Sequence, residues 1–153
     1  MKFTPIIVLL TLFINQSLSA NEPVSASSYT STAIGGHDTT AYHSLTLGDK
    51  AKKGDGEYVV EWKGVKWRFI SEKDSQLFAA DPEKYAPAYN GHCANALSLG
   101  EGLIKTNGKY WAIFDKQLYL FYAPRGAKRW LNGNYQDYKA EADRAWVEIL
   151  SRR

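Results

Sequence analysis

The sequence predicts an α+β fold: a small single domain with two antiparallel β-hairpins packed against three to four helices, including a C-terminal amphipathic helix. Two observations carry this. Two stretches near the middle of the chain carry strand-type apolar residues on both sides of a two-residue turn, the pattern of a hairpin. The last 20 or so residues instead repeat apolar positions at helical spacing. Aromatic residues, 14% of the chain, supply the material of a large-ring core.

The first hairpin is read over Glu57 to Ser71. Tyr58, Val60 and Trp62 share one face of its first arm, and Val65, Trp67 and Phe69 one face of the second, with Lys63-Gly64 between them. Ser71 is placed to cap a helix, with Asp74 three residues on as a partial capping box. Leu77 and Phe78 are its expected core contacts. Asp81 caps a further short turn that has Pro82 at its first helical position, where a missing N–H costs nothing. The second hairpin spans Lys109 to Tyr122, turning at Asp115-Lys116. "PRGAKRWLNG" predicts a short helix ended by Asn132-Gly133. In the last helix Tyr138, Ala142, Ala145, Trp146 and Ile149 fall on one face. No internal repeat is visible at this level.

The first 20 residues carry a lysine, an almost wholly apolar run from Phe3 to Ile14, and small residues at Ser17, Ser19 and Ala20. This is the pattern of a cleaved secretory signal peptide, with cleavage after Ala20 or Ser19. Ser/Thr-rich residues 21–33 are expected to form a flexible tail, and residues 34–153 the domain. The product is expected to be exported, periplasmic or secreted, with no stable membrane insertion after cleavage. Loss of Lys2 lowers the formal charge from +3 to +2, too even to imply nucleic acid as a partner. "LGDKAKKGDGE" lacks the Gly-Lys-Ser/Thr ending of a phosphate-binding loop and reads as a solvated connection. Met1, the sole methionine, would leave with the signal, which excludes a thioether copper site.

"VKWRFISEKDSQLFAADPEKYAP", Val65 to Pro87, resembles the core of the YHS domain, in which an aromatic strand, a helix and Asp-Pro-Glu-Lys-Tyr follow one another. Upstream "AIGGHDTTAY" and downstream "YNGHCANALSLG" and "LYLFY…RW" are similar to the longer exported branch of that family. The resemblance spans about Ile34 to Trp146 and implies an α+β module with a habit of metal binding. Where metal-binding members carry cysteines, this chain has Ala41, Ile70 and Asp74. The segment it offers instead is Gly91-His92-Cys93.

Cys93 is the only cysteine, so no internal disulfide can form. Its thiolate, with His37, His43 and His92, the only imidazoles, makes a ligand mix suited to copper, favoured here, or zinc. The expected role is metal handling or sensing, with the metal ion or a small ligand as partner. The alternative is a metal-free accessory or ligand-binding domain in which Cys93 is a packed small hydrophobe. A third is a thiol-dependent enzyme. His92 is a poor base for its neighbour, because adjacent side chains diverge on a strand or a helix. Any ligand pocket is expected to have Tyr85 and Tyr89 in its wall, with Asp38 and Tyr42 beside it.

Overall fold

Residues 22–153 are described by a computed structural model, and the expected signal peptide lies outside them. Nine elements of regular structure follow in order: β1 (Asp55–Trp62), β2 (Val65–Phe69), α1 (Glu72–Ala80), α2 (Pro82–Tyr85), α3 (Ala94–Ser98), β3 (Tyr110–Phe114), β4 (Gln117–Phe121), α4 (Pro124–Asn132) and α5 (Tyr135–Ser151). Single 3-10 turns occupy Ile34–Gly36, Ala41–Ser44 and Ala88–Gly91. The fold is α+β, with two separate two-stranded antiparallel sheets. Among the described residues it has five helices. The one that the sequence reading did not place is α3, which is too short to show a period.

Both hairpins turn where expected. Lys63 and Gly64 have φ of 51° and 72°, and Asp115 and Lys116 have φ of 49° and 65°. Two consecutive left-handed residues give the turn the twist of the flanking strands. Ser71 Oγ accepts the Asp74 amide at 3.2 Å and so caps α1. Asp81 caps α2 through the Lys84 amide, with Pro82 in the first turn. Of the two residues expected to anchor α1, Phe78 is fully buried, but Leu77 is 39% exposed. Adjacent side chains on a helix point about 100° apart, and Phe78 has the inward direction.

The core has two parts. One gathers Trp67, Phe69 and Phe78 with Ile34, Tyr42 and one face of the second hairpin, namely Trp111, Leu118 and Leu120. The other gathers the opposite face of that hairpin, Ala112, Tyr119 and Phe121, with Leu97 of α3, Trp130 of α4 and Ala142 of α5. The second hairpin is therefore sandwiched, which is why β4 reads as a continuous apolar run. Tyr138, Ala145, Trp146 and Ile149 of α5 pack against the second cluster, as their spacing predicted.

Residues 22–33 are not a free tail. Ser25 is fully buried, its amide donates to Asn90 O at 3.0 Å, and its hydroxyl donates to Thr106 O at 3.2 Å. Ala26 bridges Ala33, and Thr32 bridges Lys66. Serine and threonine content suggested mobility, but these short side chains can equally satisfy buried backbone groups.

The two halves of the chain share one plan. Adding 52 to each number from Tyr58 to Phe78 lands on the matching element of the second half without a gap. Four aromatic pairs repeat under this rule. Trp62–Trp67, Trp62–Phe78, Trp67–Phe78 and Phe69–Phe78 stand at 5.6, 5.6, 5.3 and 5.1 Å between ring centres. Phe114–Tyr119, Phe114–Trp130, Tyr119–Trp130 and Phe121–Trp130 stand at 5.9, 6.0, 5.3 and 5.6 Å. Upstream of each hairpin the offset is 55, and Ile34-Gly35-Gly36-His37-Asp38 matches Tyr89-Asn90-Gly91-His92-Cys93. The absence of a repeat, as read from sequence, is corrected on these contacts.

Candidate functional site

Each half places its histidine by the same device. Ile34, Gly35 and Gly36 are left-handed, and so are Tyr89, Asn90 and Gly91. The turn folds the ring back onto the carbonyl three residues earlier: His37 Nδ1 lies 3.1 Å from Ile34 O, and His92 Nδ1 lies 3.0 Å from Tyr89 O. In the neutral ring that nitrogen carries the proton. Burial pushes both imidazoles below their ordinary pKa, so both are neutral at pH 7. His92 packs against Trp146, with ring centres 6.1 Å apart. His43 is exposed and stands edge-on to half-buried Tyr85.

The next residue is where the halves part. Asp38 and Cys93 both donate their amides to the loop before the hairpin, to Lys52 O at 2.9 Å and Ile104 O at 2.8 Å. Both receive the amide just after the second strand: Ile70 N donates to Asp38 Oδ2 at 2.8 Å, and Tyr122 N to Cys93 Sγ at 3.3 Å. Asp38 has a second oxygen. Its Oδ1 accepts the Thr40 amide at 2.9 Å, the Thr40 hydroxyl at 2.7 Å and the Ala41 amide at 3.3 Å. Cys93 has no counterpart of that oxygen.

Over Cys93 lies a cavity of about 390 Å³, lined also by Asn95, Ala96, Ile104, Tyr122 and Gly126, with Glu101 and Arg125 at its exposed edge. Cys93 itself is only 4% exposed. Arg129 donates to Asn95 Oδ1 at 2.9 Å and to Ser98 Oγ at 3.0 Å, which ties α4 to α3 across the floor. Helix α4 starts at this cavity with no side-chain cap and no acidic residue in its first turn. Its counterpart α1 has Ser71 as cap, with Glu72 and Asp74 following.

The four metal candidates do not converge. Cys93 faces Tyr122 N and the cavity, His92 turns to Tyr89 O and Trp146, and His37 and His43 belong to the other half. Among the described residues no three of His, Cys, Asp and Glu stand close enough together to hold a metal ion. Of the four pocket candidates, Asp38 and Tyr42 are internal struts, Tyr42 donating to Gly108 O at 2.6 Å. Tyr89 donates to Asp143 Oδ1 at 2.8 Å and lines another cavity, of about 250 Å³, with Lys63, Asn90 and Trp146. Tyr85 offers its carbonyl to Thr39 Oγ1 at 2.5 Å. Sequence reasoning missed Asn95, Glu101, Tyr122, Arg125 and Gly126. The signal that could have found them is Ala123-Pro124, a helix start without a capping side chain.

No helix among the described residues is long and apolar enough to cross a membrane. Comparison with family models, with curated proteins and with solved structures returned no match.

Proposed function

We propose that the chain is an exported, YHS-type ligand-binding domain that takes a small molecule in the cavity over Cys93. The observation that supports this best is the cavity itself. At about 390 Å³ it lies within the range of small-molecule sites, and it joins apolar walls to a few polar groups, a thiol, a carboxylate and a guanidinium. A fragment screen followed by amide chemical shifts tests the proposal. Hits should shift Asn95, Tyr122 and Gly126, and Ile104→Trp, which fills the mouth from a partly exposed position, should abolish the shifts. Shifts confined to other parts of the surface would end it.

A second reading keeps the metal. One observation favours it: Cys93 lines the cavity and its sulfur accepts a single N–H, which leaves it free to take a soft ion. Copper or zinc would then be held by Cys93 with solvent, a bound small molecule or a reoriented His92, His37 or His43. Titration of both metals into wild type and Cys93→Ser decides this. Equal stoichiometry and affinity in the two proteins would remove the thiolate from the account.

A further inference from the structure

The first half shows what chemistry the second half has left unfilled. Asp38 bridges two groups of donors. Oδ2 takes the amide that follows the hairpin, and Oδ1 takes the two amides at the start of the next turn. In the second half the single sulfur of Cys93 does the work of Oδ2 and stops there. The amides of Asn95 and Ala96, which correspond to those of Thr40 and Ala41, have no acceptor among the described residues. Both residues line the cavity. Nothing among the described residues replaces Oδ1.

The surroundings changed in the same sense. Ser71 and Asp74 of the first half correspond to Ala123 and Gly126, so a cap and a carboxylate are lost together. A Cβ at Gly126 would stand 3.0 Å from Asn95 Cβ, so α3 and α4 approach closely at the cavity edge. What remains around the opening is electropositive. The uncapped start of α4 presents its positive dipole end. Arg125 makes no ion pair or hydrogen bond among the described residues. The Cys93 sulfur donates to no acceptor among the described residues, and Cys93 lines the same space. Glu101 at the edge is the one opposing charge.

We infer that the cavity over Cys93 receives the carboxylate of a small ligand, at the place where the first half supplies its own from Asp38. One carboxylate oxygen takes the Asn95 and Ala96 amides, and Arg125 closes over the other. The rest of the ligand lies along Ile104, Tyr122 and Ala123. This deepens the ligand-binding reading above and rests on it.

Benzoate, benzamide and inorganic phosphate are the probes, titrated by calorimetry and by amide shifts. Benzoate should bind at one per chain and shift the Asn95 and Ala96 amides. Benzamide should bind at least tenfold more weakly. Arg125→Glu, at an exposed position, should weaken benzoate tenfold or more. Cys93→Asp rebuilds the first half's arrangement, and it should raise the melting temperature and abolish benzoate binding. If that variant does not fold, the Arg125→Glu and benzamide results still decide. Benzamide binding as well as benzoate would overturn the inference and leave the cavity a ligand site. Phosphate matching benzoate would overturn the choice of carboxylate. Failure of every probe to shift a lining residue would overturn the inference, and failure of the fragment screen as well would overturn the reading beneath it.

Discussion

The half that begins at Ile34 and the half that begins at Tyr89 are built alike, yet they fail to match in two places. The first is solvent. Hairpin β1–β2 buries one face only, whereas β3–β4 is covered on both. The second is the residue after the histidine. Asp38 is saturated with hydrogen bonds and closes its half, while Cys93 makes one and leaves a cavity. The difference teaches that one architecture can be used once as a closed structural unit and once as an open one. Between them a one-sulfur side chain stands where a two-oxygen side chain does, and Ala123 and Gly126 stand where Ser71 and Asp74 do.

If the halves are equivalent in packing, their central rings should cost alike. Phe78→Ala and Trp130→Ala each empty a fully buried ring position, so each should lose about 3–5 kcal/mol in urea unfolding. A loss under about 1 kcal/mol at either site would break the equivalence. Next comes the residue at which the halves differ. Asp38→Ala strands the Ile70, Thr40 and Ala41 amides and should cost about 2–3 kcal/mol, whereas Cys93→Ala frees one amide and should cost about 1 kcal/mol. Equal losses would show that the cavity does not distinguish them.

The paired histidines give a pH test. Both have a folded pKa below the ordinary value, because burial disfavours the charged ring. The unfolded chain therefore binds more protons below about pH 6.5, and stability falls as pH drops through that value toward the folded pKa. Each histidine can contribute at most about 1.4 kcal/mol per pH unit, and His92→Gln should lower the slope. Denaturant midpoints from pH 7.5 to 5 that do not move would refute this. The smallest effect lies at the helix starts. Ser71→Ala should cost about 1 kcal/mol, and Ala123→Ser should add a few tenths, each measured by thermal melting.

Both hairpins, their turns, three of the caps and the face of α5 could be read from sequence, because each depends on residues close together in the chain. The repeat could not. Between 58–78 and 110–130 only Tyr58/Tyr110 and Phe69/Phe121 are identical, and the shared feature is ring-against-ring packing, which Trp, Tyr and Phe satisfy interchangeably. Cys93 stood out in the sequence by its solitude. Its partner did not, since the Tyr122 amide lies 29 positions away and carries no side-chain signature. Asp38 was noticed as a candidate, but its four donors are backbone and threonine groups that no spacing rule brings together. The helix count rose to five because α3 spans only Ala94–Ser98, held by Cys93 O and the Ile104 carbonyl more than by its own propensity.

The strap formed by residues 22–33 has no twin. Ser25 exchanges hydrogen bonds with Thr106, 81 positions downstream, and also holds Asn90 and Ile34. A contact of that separation carries a large loop-closure cost, so it should form late. On the ribosome, residues 22–33 would have to wait, unsatisfied, for the loop before the second hairpin before they could lock. Arrival of the loop that carries Thr106, rather than completion of the first half, then becomes the event that ties the strap down.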